Sequence, residues 1–162
     1  MKPFKTIKLL LSTLLLFVLS FNVYADNTNA EILDDSLQMQ KHLNILGYKT
    51  TILDNKVILA ENNNEKLLLV KTDKLGGFGI ARSFAFKNNI KKDIKFYKLI
   101  NKLNSSQDLI KAIDFDRFLS FTMMSLNKYN REDFTQIVNT FNDTINHSII
   151  PVYGEEMSEY IK

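Results

Sequence analysis

The side chains that titrate near neutral pH in this 162-residue sequence are two histidines, His42 and His147. Either could shuttle a proton or hold a metal, but both chemistries need partners at defined spacing. His42 follows Asp34, Asp35 and Lys41, a set that matches no ligand pattern. His147 stands four residues after Asp143, the spacing of an ordinary helix pair. Both are expected as surface or boundary histidines. Asp114 and Asp116 could do acid–base work or hold a hard cation. Aspartates of a tight, solvated reversal explain them more simply. The glycines of "LGGFG", Gly76, Gly77 and Gly79, lack the lysine and hydroxyl of a phosphate loop. They fall between two strands instead of before a helix, and a bend or bulge is expected. With no cysteine in the chain, thiol nucleophiles and thiolate metal sites are excluded. No catalytic residue, metal ligand or cofactor site is expected, and the protein is read as a non-enzyme.

Lysines form a more suggestive pattern. Lys87, Lys91, Lys92, Lys95, Lys98 and Lys102 accompany one acid, Asp93. On a helix, Lys91, Lys95, Lys98 and Lys102 share one face at steps of four, three and four. Such a face could meet an acidic protein, an anionic membrane surface or a nucleic acid, or simply be solvated. The acids Glu155, Glu156 and Glu159 could answer it across a dimer.

Both of these patterns depend on where the chain is and how it folds. Residues 1–25 carry Lys2, Lys5 and Lys8, then an apolar run from Leu9 to Phe21, then Val23 and Ala25 at the small-residue cleavage positions. This is the pattern of an export signal, and the protein is expected in the periplasm or secreted. Cleavage would remove three of the 21 basic side chains and none of the 18 acidic ones, so the net charge of +3 belongs to the signal. A nucleic-acid partner is therefore not expected. Residues 26–31 read as a polar lead-in, and residues 32–162 as one domain held by packing without disulfides.

Within that domain, apolar spacing predicts a helix over 32–46 closed by Gly47. Short strands follow at 49–53, 56–60, 66–72 and 80–86, with Asp54-Asn55 as a tight turn and 62–64 as a second one. A second helix is expected over 91–103, with Ile94, Tyr97 and Leu103, and Phe96, Leu99 and Ile100 beside them, on a broad apolar side. Two strands come next, at 109–115 and 118–126. A last helix opens at Asn130 with Asp133 and is ended or kinked by Pro151. The tail after it is read as loose or as a short packed return. This order, α-β-β-β-β-α-β-β-α, is an α+β arrangement in which an antiparallel sheet is flanked by helices.

Three features of that order resemble the YbjN-type domain, whose fold is similar to the type III secretion chaperones. They are the helix closing on "LGYK" (46–49), the middle helix ending in "INKLN" through Asn101 and Asn104, and the hairpin before "NREDFTQIVNTF". Leu103 stands where the family often has tryptophan. Cysteines frequent in exported relatives are missing from "TDKLGGFGIARSF", so packing of Phe84 and Phe86 is expected to compensate. The resemblance implies regulation, stress or partner stabilisation, without a defined reaction.

The hairpin supplies the partner surface in this reading. Leu119, Phe121 and Met123 fall on one face, and Phe118, Met124 and Leu126 on the other, so both faces are apolar where a one-sided sheet needs only one. Phe118, Leu119, Phe121, Met123 and Met124 are the expected partner-binding residues, with Lys91, Lys95, Lys98 and Lys102 steering encounters. The expected function is an exported protein-binding or chaperone-like domain that captures a partner protein and forms a homodimer, with weak contact to an anionic membrane surface possible. The alternatives are a secreted inhibitor or immunity protein and, behind it, a small hydrolase.

Overall fold

The computed structural model describes residues 29–54, 56–63, 65–72 and 77–162, with side chains from Asp35 onward. The expected signal, Asn55 of the first tight turn and Gly76 lie outside the described residues. Helix α1 spans Asn29–Ile45 and ends at Gly47, whose φ of +91° suits a residue without a Cβ. Strands β1 (Lys49–Asp54), β2 (Val57–Asn62), β3 (Glu65–Lys71) and β4 (Phe78–Ala85) follow as antiparallel neighbours. Helix α2 (Ile94–Ser106) leads to β5 (Lys111–Phe115) and β6 (Phe118–Ser125), then to helix α3 (Arg131–Asp143). A π-helical turn, Thr144–Ile149, continues directly into helix α4, Ile150–Ser158.

All six strands form one antiparallel sheet in the order β1-β2-β3-β4-β6-β5. Strand β6 therefore inserts between β4 and its own hairpin partner β5, with Ile80 opposite Met123 and Phe84 opposite Leu119. Alternation sets the two faces. One face carries Ile58, Leu67, Leu69, Ile80, Leu119 and Phe121, all at most 2% exposed. Met39 and Leu43 of α1, Phe96 and Leu99 of α2, and Phe134 and Phe141 of α3 pack onto it in a single core. The α+β arrangement with helices against an antiparallel sheet is thus the observed fold.

The helix ends follow their caps. Asp93 accepts hydrogen bonds from the Lys95 and Phe96 backbone N–H groups, starting α2 at Ile94 and leaving Lys91 ahead of the helix. Ile94 and Tyr97 are exposed, because the buried stripe is Phe96, Leu99 and Leu103. Asn130 caps α3 in the same way and donates back to Asp133.

Pro151 neither ends nor breaks the last helix. A proline ring meets the carbonyl four residues earlier in a regular helix, and the wider π turn that precedes it relieves that contact. Ile150 N–H reaches back to the Ile145 carbonyl across this turn. Helix α4 then returns along the core as a packed segment, burying Met157 and Tyr160. Backbone bonds from Lys87 to Tyr160 and from Lys162 to Ala85 pin its end beside β4.

Candidate protein-binding surfaces

The register divides the hairpin residues between two environments. Leu119, Phe121 and Met123 point under the helices and are 0%, 0% and 8% exposed, so their burial serves the core. Phe118 and Met124 lie on the opposite face of β6, where Phe118 is buried at 8% exposure and Met124 is 40% exposed. That second face has its own apolar cluster, in which Val57 and Leu68 pack with Leu53, Leu59 and Val70. Every member of the cluster comes from a strand, and no helix side chain among the described residues joins it.

Between the strand cluster and Phe118 runs a band of small residues: Gly79, Ala81 and Ser83 of β4 with Ser120 and Thr122 of β6. The Ser83 and Ser120 hydroxyls bond to each other across it. A Cβ at Gly79 would lie 2.9 Å from the Met124 sulfur, so the glycine makes room for that flexible side chain. Gly77 is more constrained, since a Cβ there would overlap the Ser125 carbonyl oxygen. These glycines therefore serve close packing between β4 and β6.

The lysines are partly consumed within the chain. Lys95 bonds Glu159, just past the end of α4, at 2.7 Å, and Lys102 bonds Glu156 of α4 at 3.2 Å. The acidic tail thus answers the basic face inside one molecule. Lys91 and Lys98 are exposed and carry no acidic partner among the described residues. Lys92 takes Asp114 at 2.6 Å and the Asp116 carbonyl at 3.1 Å, and its ammonium lies 4.6 Å from the centre of the Phe86 ring. Asp114 is thus ion-paired, while the Asp116 side chain is 82% exposed and lies 3.8 Å from Arg117 Nε.

His42 departs from the surface or boundary position expected of it. It is 4% exposed, with Nδ1 3.2 Å from the Tyr129 hydroxyl and Nε2 2.8 Å from Thr135 Oγ1. Thr135 also donates to the Arg131 carbonyl, so a neutral ring donating from Nε2 and accepting at Nδ1 completes the chain of bonds. Burial first, and the Arg131 guanidinium second, hold the imidazole below its usual value of 6.5. Its place on α1, three residues after Met39 and beside Leu43, was the available signal. His147 is exposed, as expected. Among the described residues no group of three or more His, Asp or Glu side chains could hold a metal ion.

A second polar cluster, absent from the sequence reading, lies under the π turn. Glu65 bridges Arg82 at 3.2 Å and Asn146 at 2.8 Å, and Arg82 also donates to Asn146. Nearby, Asn142 donates to the Tyr48 hydroxyl at 2.6 Å. The cluster joins β3 and β4 to the π turn, and burial pushes the Tyr48 hydroxyl up from 10.0.

Comparison with solved structures matches this arrangement to the crystal structure of YbjN from E. coli, described as a candidate transcription regulator, with a TM-score of 0.59. The match covers 78% of this chain and 95% of that one at 12% sequence identity. The fold is YbjN-like. No family model matches the sequence, and no curated protein matches it.

Within this YbjN-like fold the residues that carried the resemblance have concrete work. Leu103 is 1% exposed and fills the core. Asn104 clasps β5 with both ends of its amide, accepting from Ala112 N–H at 2.6 Å and donating to the Ala112 carbonyl at 3.0 Å. Beside β4, Phe84 meets Phe121 edge-on at 5.9 Å and Phe86 meets Phe96 at 5.6 Å.

Proposed function

We propose that this chain is an exported, non-enzymatic protein-binding domain that captures an apolar segment of a partner protein reversibly, in the manner of a chaperone. The observation that carries the reading is the second face of the sheet. Its apolar cluster and the small-residue band beside Phe118 and Met124 belong to strands alone, while every described helix packs on the other side. An extended segment laid along such a band could place alternate side chains against the ridges on either side. Met124 suits irregular contacts because its side chain is flexible and polarisable.

Lys91 and Lys98, left without acidic partners, raise encounter rates with an acidic partner protein without touching the seat. The export pattern of residues 1–25 supports capture outside the cytoplasm. The test is a photo-crosslinking residue placed at Met124 and, as a comparison, at exposed Asn139 of α3. Protein adducts at position 124 that are absent at 139 support the reading. Equal labelling at both, or a turnover that Met124→Asp leaves untouched, overturns it.

A further inference from the structure

The two edges of the sheet are finished differently. At β5 the Asn104 amide occupies the outward N–H and carbonyl of Ala112. Lys111 reinforces that edge by donating to the carbonyls of Asn104 and Gln107. A further strand cannot add there without displacing this clasp. At β1 no described residue bonds to the outward backbone of Lys49–Asp54. Open edges of this kind are templates for pairing unless charge, proline or irregularity blunts them.

Strand β1 carries little of that protection along its length. Its centre is Thr50-Thr51-Ile52, with Thr51 and Ile52 exposed and no proline. The one irregularity is a bulge between Ile52 and Asp54, at the far end. Its charges also stand at the ends, Lys49 at one and Asp54 at the other.

From this edge we infer that a second copy of the chain pairs with the first through β1, antiparallel about a two-fold axis at Thr51. Antiparallel partners directly opposite each other share a face, so a two-fold pairing must set odd positions against odd and even against even. Centring it on Thr51 places Thr51 against Thr51 of the second copy, Thr50 against Ile52, and Lys49 against Leu53 beside Asp54. Each lysine then meets the acid-bearing end of the other strand, where the bulge at Leu53 limits the regular pairing to Thr50–Ile52. Hydroxyl pairs directly opposite are a favourable cross-strand combination. The two sheets join into one, with the helices of both copies on the same side. Helix α1 packs over β1 and β2, and its Leu37 and Ile45 are exposed.

The inference rests on the proposed reading only in that the protein works through protein contacts, and it uses a different surface. It is tested on the full chain as the cell processes it. Because the sequence has no cysteine, Thr51→Cys gives one thiol per copy, and Lys111→Cys places one on the clasped edge. The expected result is twice the monomer mass by light scattering, with oxidation crosslinking Thr51→Cys to a covalent dimer and leaving Lys111→Cys uncoupled. Thr51→Lys should return the mass to that of a monomer with an unchanged far-ultraviolet spectrum. A monomer throughout, or a dimer that crosslinks at position 111 and not at 51, overturns the inference. Crosslinking to Met124 in the Thr51→Lys monomer separates the two proposals, since capture by the second face does not need this seam.

Discussion

His42 Nε2 and Thr135 Oγ1, 93 positions apart in sequence, lie 2.8 Å from each other and join helix α1 to the start of helix α3. Tyr129 closes the other side of the ring, Arg131 stands nearby, and Asp35, which acts on Tyr129, pairs with Lys71. With its pKa held below 6.5, His42 is neutral in the folded chain at pH values where the unfolded chain already binds a proton. Stability should therefore be full above 6.5 and fall as the pH drops below it, until the folded pKa is passed. The slope cannot exceed about 1.4 kcal/mol per pH unit for one proton. Urea midpoints between about pH 5 and pH 8 should show this fall in the natural chain and a flatter profile in His42→Gln. Identical profiles would mean that His42 does not carry the dependence.

Asn104→Leu should expose the consequence of losing the β5 clasp. The Ala112 backbone is left without its amide partner, and an unsatisfied buried group costs about 1–3 kcal/mol. Chemical denaturation reads that loss. The same variant should self-associate through β5, detected as crosslinking of Lys111→Cys placed in the Asn104→Leu background.

Phe121→Ala tests whether this hairpin residue belongs to the core. Fully buried and edge-on to Phe84, it should lose about 3–5 kcal/mol of folding stability. Partner capture by the fraction that remains folded should be unchanged. A loss of capture without a shift in the denaturation midpoint would assign Phe121 to an interface instead.

Asp35→Ala leaves the Lys71 ammonium, with 5% of its side chain exposed, without the carboxylate it meets at 2.6 Å. Removing one partner of a buried pair costs about 3–5 kcal/mol, and the 25% exposure of Asp35 puts the expected loss at or below the lower end. Replacing both residues, Asp35→Leu with Lys71→Met, should recover most of it. Denaturant midpoints of the single and double variants measure the difference.

Much of this architecture is legible in the chain because local rules and tertiary packing agree. The β-branched and leucine-rich strands, Gly47 and the Asn130 cap each specify their element within a few residues. Face assignment in the hairpin was also readable, since alternation places Phe118 and Met124 opposite Leu119 and Phe121. Which face the helices would cover was not, because both are apolar and the choice depends on β6 inserting beside β4. The pairing of Glu156 and Glu159 with the lysine face was expected only across a dimer: Pro151 reads locally as an end or a kink, and the π turn carries both acids back to Lys102 and Lys95 within one chain. His42 illustrates the same limit, since its partners lie 87 and 93 positions away.

Pinning of Tyr160, Ile161 and Lys162 against the Ala85–Lys87 segment also governs the order in which the molecule can be completed. Phe96 sits against both Phe86 and Tyr160, so this corner lacks an aromatic wall until the last helix has emerged from the ribosome. A polypeptide truncated before Met157 would carry that gap permanently.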